Sequence, residues 1–237
     1  MSSLLPLETL DDRAMVALAA ALIHAATTTS PSSRHLIGIA GVGGSGKSTF
    51  ASRLIEHIQQ ALPDQPDFAR LIPMDGFHLR NEALDALNLR DRKGSPPTFD
   101  AATYITLLRR CKLDLAQPIP FPVYDRALHE PVLRHDIEHT ITPATRLILT
   151  EGNYLLLDEP PWARLAHVLD ECWLLDTLLE QAGKWILARH QRGGRTAENA
   201  LIHYERNDLP NANLVLHCMR PPHRRFRFAF DSDPAAI

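Results

Sequence analysis

The run Gly41-Val42-Gly43-Gly44-Ser45-Gly46-Lys47-Ser48-Thr49 fits the spacing G-x-x-x-x-G-K-[ST], and it constrains the chain more than any other feature. Such a loop needs a strand before it and a helix after it. Glycines let the backbone curl until several N–H groups point inward at phosphate oxygens. The helix that follows adds its positive end. On this spacing Lys47 places a cation between the β- and γ-phosphates of a nucleoside triphosphate, and Ser48 offers a hydroxyl to Mg²⁺. The flanks agree. His35–Ala40 is an apolar run that reads as a buried parallel strand. Lys47–Leu62 reads as a helix with Phe50, Leu54, Ile55, Ile58 and Leu62 on one side. A glycine-rich turn arising by chance would lack both.

Further strands are expected at Ala69–Met74, Ile137–Ile141, Arg146–Glu151, Glu171–Asp176 and Leu214–Leu216. Helices are expected at Asn81–Leu89, Ala101–Leu113 and Leu179–His190. Strands alternating with helices predict an α/β fold: a parallel sheet covered on both faces, with right-handed crossovers. Leu10, Met15, Leu18, Leu22 and Ile23 recur at helical spacing, followed by a Thr/Ser/Pro linker from Thr27 to Ser33. The expected organisation is an N-terminal helix and linker over 1–33 and a P-loop domain over 34–237.

Composition excludes more than it suggests. A net charge of −3 gives no reason to expect a nucleic-acid partner. The run Ala14–Ile23 is too short to span a bilayer and follows Glu8, Asp11 and Asp12 rather than a positive segment, so neither membrane nor secretion is expected. Cys111, Cys172 and Cys218 lack metal-ligand spacing and suit a reducing, cytoplasmic compartment.

Two acids complete the chemistry. Asp75 follows the Ala69–Met74 strand, one unit after the phosphate loop. Ligands of open parallel sheets gather at the carboxyl ends of strands, so Asp75 is expected beside the γ-phosphate, where it could take a proton from an attacking hydroxyl. A turn aspartate before Gly76 would be the bland alternative. Glu151 ends another apolar strand at the same edge and could bind Mg²⁺ directly or through water, or simply face solvent.

With these residues placed, the chain resembles the phosphoribulokinase/uridine kinase/type I pantothenate kinase family of P-loop kinases. The likeness rests on the phosphate loop, Met74-Asp75-Gly76-Phe77-His78, Tyr124-Asp125-Arg126-Ala127-Leu128-His129 and Leu149-Thr150-Glu151-Gly152-Asn153-Tyr154. It implies a nucleoside-kinase-like P-loop fold with a small lid, and ATP-dependent phosphorylation of an alcohol with Mg²⁺. By position, Lys47 and Ser48 would hold ATP and Mg²⁺, Asp75 would be the catalytic aspartate, and Glu151 the strand-end acid. Tyr124, Arg126 and His129 fall where the family forms its acceptor pocket, inside an insertion over about 76–145; His78 joins them as a polar neighbour of Asp75. Arg189, Arg192 and Arg195 around Gly193-Gly194 resemble the mobile lid over about 189–200, with Arg192 assigned to catalysis and Arg189 and Arg195 to nucleotide binding.

The motifs are mixed. Arg92-Lys93-Gly94 and Thr98-Phe99-Asp100 look most like pantothenate kinase, the Tyr-Asp-x-x-x-His spacing more like uridine kinase, and uridine kinases have Asp-Ser-Phe-Tyr where this chain has Asp75-Gly76-Phe77-His78. The expected acceptor is a small metabolite, first a sugar, with a nucleoside or pantothenate as alternatives; a homodimer is left open. A metallochaperone or switch GTPase would need a guanine-reading N-K-x-D, and a transport ATPase an L-S-G-G-Q signature; the sequence has neither.

Overall fold

The structure, a computed structural model, describes residues 5–28 and 32–228. The chain enters as strand β1 (Leu7–Leu10), runs through helix α1 (Asp12–Thr28) and returns as β2 (His35–Ala40). The phosphate loop leads into α2 (Lys47–Ala61), and β3 (Ala69–Pro73) follows. An insertion then carries α3 (Asn81–Ala86), α4 (Ala101–Leu113) and the short strands β4 (Ile119–Pro120), β5 (Pro122–Asp125), β6 (Glu130–Leu133) and β7 (Thr140–Ile141). The sheet resumes with β8 (Leu147–Gly152) and β9 (Glu171–Leu175). Helices α5 (Leu179–Arg192) and α6 (Ala197–His203), a π-helical turn over Tyr204–Asp208, α7 (Leu209–Cys218) and strand β10 (Arg224–Phe228) close the fold.

The main sheet has six strands in the order β1-β10-β9-β2-β8-β3, and every neighbouring pair is parallel. Period-two patterning explains its burial on both faces. In β2, Leu36 and Ala40 face one core while Ile37 and Ile39 face the other. β8 does the same with Ile148 against Leu147 and Leu149, and β9 with Cys172 and Leu174 against Trp173 and Leu175. One layer is closed by α1 and α2, through Met15, Leu18, Leu22, Phe50, Leu54 and Ile58. The other is closed by α4, α7 and the turn at Trp162, through Tyr104, Leu108, Val215 and Trp162. No helix among the described residues is long and apolar enough to cross a membrane.

Three readings need correction or completion. Leu214–Leu216 lies inside α7 and is not a strand. Three apolar residues carry no period, and here Ala212 and Val215 are buried three apart, as in a helix. The strand sits instead at Arg224–Phe228, where Phe226 and Phe228 alternate with arginines. Leu10 belongs to β1, whose register with β10 runs from Leu7↔Arg225 to Leu10↔Phe228, so the N-terminal segment extends the main sheet. The expected strand Ile137–Ile141 shrinks to β7, paired antiparallel with β4. Helix α1 forms as expected; part of the linker read from Thr27 to Ser33 lies outside the described residues.

Arg34 joins the insertion to the sheet. Its fully buried guanidinium donates to the carbonyls of Thr145 (2.9 Å), Cys111 (2.6 Å), Asp114 (2.5 Å) and Thr142 (3.0 Å). A buried charge is tolerable only when its donors are satisfied, and four carbonyl dipoles do that here.

Candidate active site

The phosphate loop is held open by its own geometry. Gly44 and Gly46 adopt φ of 74° and 87°, which disfavours any side chain. A Cβ on Gly44 would stand 2.4 Å from the carbonyl oxygen of Ala182 in α5, so the loop rests directly on that helix. Helix α2 starts at Lys47 without a side-chain cap. A helix start of this kind presents backbone N–H groups and the positive helix end to an anion. Lys47 folds into the loop, donating to the Val42 carbonyl at 2.8 Å and lying 3.4 Å from Ser45 Oγ. Burial pulls the Lys47 ammonium down to about 8; Glu151 and Asp75 oppose this, and Arg189 adds to it.

The two acids converge from adjacent strands. Glu151 is buried in β8 and registers with Ile39 of β2 and Pro73 of β3. Ser48 Oγ donates to Glu151 Oε1 at 2.9 Å. Burial pushes the Glu151 carboxyl upward, while Lys47, the Ser48 hydroxyl and Arg189 hold it down. Behind it, the buried Thr150 hydroxyl donates to the Ile72 carbonyl at 2.6 Å, which leaves Tyr104 OH to donate to Thr150 Oγ1 at 2.5 Å. This brace ties β8, β3 and α4 together beneath the site. Asp75 lies in the tight turn Met74–Phe77 just beyond β3. Among the described residues its exposed carboxylate takes no hydrogen bond or ion pair, yet its charge reaches Lys47, Glu151 and His78. A hydroxyl and a carboxylate held oxygen to oxygen fit a hard, oxygen-seeking cation, so Ser48 and Glu151 would hold Mg²⁺.

A hairpin lies on this turn. β5 pairs antiparallel with β6, from Pro122↔Leu133 to Asp125↔Glu130. The hairpin comes so close that a Cβ on Gly76 would lie 2.0 Å from the Pro122 carbonyl oxygen. Tyr124 thereby reaches His78, with ring centroids 4.9 Å apart, and His78 packs on Phe99 at 4.0 Å. His78 Nδ1 lies 2.8 Å from the Asp75 carbonyl, which can only accept; Nδ1 carries the proton and, in the neutral ring, Nε2 is an acceptor. Burial lowers the His78 pKa, so the neutral ring is favoured at pH 7.

The predicted pocket residues divide. His78 and Tyr124 gather beside Asp75. Arg126 and His129 sit exposed at the hairpin tip, and neither side chain forms a hydrogen bond or ion pair among the described residues. His129 contributes its backbone instead: at φ 53° its carbonyl accepts from Lys93 Nζ at 2.6 Å and from Asn81 Nδ2 at 3.3 Å. Lys93 also donates to Asn81 Oδ1 at 2.7 Å and stands 5.2 Å from the centre of the Tyr124 ring. It was not among the predicted site residues; the Arg92-Lys93-Gly94 segment was the signal that could have found it. Of the three arginines in the segment expected as a lid, Arg189, also exposed, is the one whose charge reaches Lys47 and Glu151. Arg192 and Arg195 are exposed; the first donates to the Ala188 carbonyl at 3.4 Å and the second lies 3.5 Å from His190 Nδ1.

No protein-family model matches the chain. Its relatives do identify it. It is 35% identical over 195 residues to YggC of Escherichia coli, covering 82% of this chain and 78% of that one. It is 34% identical over 195 residues to the Schizosaccharomyces pombe protein named "Putative uridine kinase C227.14", covering 80% and 81%. Among solved structures, the Silicibacter sp. TM1040 protein titled "putative fructose transport system kinase" superposes with a TM-score of 0.79 at 29% identity, over 89% of this chain and 98% of that one. With the phosphate loop, the paired acids and the parallel sheet in place, these likenesses show that the chain belongs to the phosphoribulokinase/uridine kinase family of ATP-dependent P-loop kinases.

Proposed function

We propose that this kinase transfers the γ-phosphoryl group of Mg-ATP to a hydroxyl of a small metabolite, and that the acceptor is a sugar. The observation that carries the reading is Asp75. Its carboxylate is unpartnered among the described residues, in the electrostatic field of Lys47, and flanked by His78 and Tyr124. Bound Mg²⁺ would neutralise charge on the phosphates. Asp75 accepts the proton of the attacking hydroxyl and aims its oxygen. Lys47 and the N–H groups of the loop and of the start of α2 hold the phosphates. Arg189, or another arginine of the expected lid brought inward, balances charge as transfer proceeds.

A polyol suits the polar wall. His78 Nε2 offers an acceptor, and Tyr124 OH and Lys93 offer donors, so several hydroxyls can be read at once. A site built this way rejects analogues lacking a hydroxyl by about 10⁴-fold. The name "fructose transport system kinase" carried by the Silicibacter relative supports the same choice. A second reading, a nucleoside acceptor, is favoured by the aromatic surface of His78, Phe99 and Tyr124, on which a base could stack, and by the uridine-kinase name of the fission-yeast relative. The test is ATP turnover against sugars, nucleosides and pantothenate, then deoxy analogues of the best acceptor. A sugar should lead in kcat/KM; a lead for uridine or pantothenate would reject the sugar reading.

A further inference from the structure

A group of side chains outside the phosphate site remains to be explained. His190 near the end of α5, His203 at the end of α6 and Asp208 at the end of the π-turn converge. They are half-buried, and one ligand-type atom from each lies within 4.8 Å of the others. His190 Nε2 is 2.7 Å from Asp208 Oδ2, and the two imidazoles meet edge to face with centroids 4.9 Å apart.

The backbone is built to make this meeting. In an α-helix, residues five apart diverge by about 140° around the axis, so His203 and Asp208 would face different ways. The π-turn changes that. Its i→i+5 pattern, seen in the Leu209 N–H bonding to the Tyr204 carbonyl, stacks residues five apart on one face. Such turns are rare, and they are found frequently at functional sites.

We propose that His190, His203 and Asp208 form a transition-metal site of the Zn²⁺ class that controls Arg195. Two imidazoles and one carboxylate suit Zn²⁺, Co²⁺ or Ni²⁺ and do not suit Mg²⁺, which keeps to oxygen ligands. This separates the site from the Ser48–Glu151 pair. The proton accounting links it to the lid. A guanidinium can only donate, so in the metal-free chain the Arg195 contact makes His190 Nδ1 an acceptor, and Nε2 carries the proton toward Asp208. A metal on Nε2 takes the lone pair that this proton now occupies. The ring's proton moves to Nδ1, and Arg195 loses its acceptor. Metal binding and the Arg195–His190 contact are therefore mutually exclusive, and the metal frees a lid arginine. The same ligands would tie α5 to α6 across Gly193-Gly194. None of this depends on which acceptor the kinase uses.

The test uses the full chain, untagged and stripped with chelator. Co²⁺ is titrated in and followed by its visible spectrum, Zn²⁺ is competed against it, and calorimetry gives stoichiometry. One metal per chain is expected. His203→Gln and Asp208→Asn should each weaken binding by about tenfold or more. Arg195→Ala should tighten it, and Glu151→Gln should leave it unchanged. Circular dichroism melts check that each variant is folded; should one fail to fold, the other together with Arg195→Ala still decides. Absence of one-to-one binding would overturn the site. So would binding that His203→Gln and Asp208→Asn do not weaken. Binding that Arg195→Ala weakens would overturn the control of Arg195.

Discussion

Lys47 illustrates how far a single residue can be at odds with folding. Its ammonium is buried in the free protein and pulled down to about 8 from an ordinary 10.5. A folded-state value below the unfolded one means that the unfolded chain binds more protons between about 8 and 10.5. The cost of burying the charge is therefore fully present below about pH 8 and is relieved as pH rises through that window. Lys47→Met should abolish turnover yet leave the ligand-free protein at least as stable at pH 7, as read by thermal melts beside rates. In the wild type, ATP binding should take up protons at pH 8–9, because bound phosphates restore the charged form. Calorimetry in buffers of different ionisation heat measures this, and Lys47→Met should show none. Asp75 is the opposite case, an exposed carboxylate with no hydrogen-bond or ion-pair partner among the described residues. Asp75→Asn should fold and bind ATP normally but lose about 10²–10⁴ in kcat. A fall in ATP affinity with kcat unchanged would make Asp75 a nucleotide or metal ligand. The role of His129 was legible only in part: the motif marks the position, but nothing in a histidine announces that its carbonyl, at positive φ, is the group used.

Among the elements, the proposed acceptor reading rests most on the hairpin β5–β6. Its approach to the Asp75 turn is set by Gly76, which has no room for a Cβ against the Pro122 carbonyl. Gly76→Ala should push the hairpin outward, carrying Tyr124 from His78. The expected outcome is a raised acceptor KM with ATP affinity unchanged; equal acceptor kinetics would mean that the hairpin does not line the pocket. Element type was readable wherever a period was long enough. The strands beside the phosphate loop, α2, α4 and α5 each carry several turns or a full apolar run. β10 was missed because Arg224-Arg225-Phe226-Arg227-Phe228 is rich in charge; yet Arg224 lays its guanidinium 4.6 Å from the centre of the Phe226 ring and pairs with Glu8 Oε2 at 2.7 Å. Those partners sit on β1 and within β10 itself, and no local window brings Glu8 to Arg224. β1 was likewise invisible, four residues whose only reason to be a strand is the edge it covers.

At the scale of the whole molecule, the sheet places the phosphate loop, Glu151 and Asp75 at the carboxyl ends of three neighbouring parallel strands, and the insertion brings His78 and Tyr124, the proposed acceptor wall, beside Asp75. Arg34 is one of the residues that hold insertion and sheet together. Arg34→Met should take this donor from four carbonyls, of which Thr142 keeps the Thr145 N–H at 3.0 Å, and cost about 3 kcal/mol or more, as a lower denaturation midpoint by urea titration. The same topology makes the central claim testable in one tube. The protein is mixed with Mg-ATP and its best acceptor, and phosphorus NMR follows where the terminal phosphoryl group goes. Transfer to an alcohol requires a new phosphomonoester resonance that grows in step with ADP and vanishes with Asp75→Asn. Release of inorganic phosphate in step with ADP, with no phosphomonoester for any acceptor, would contradict the assignment of this site to alcohol phosphorylation.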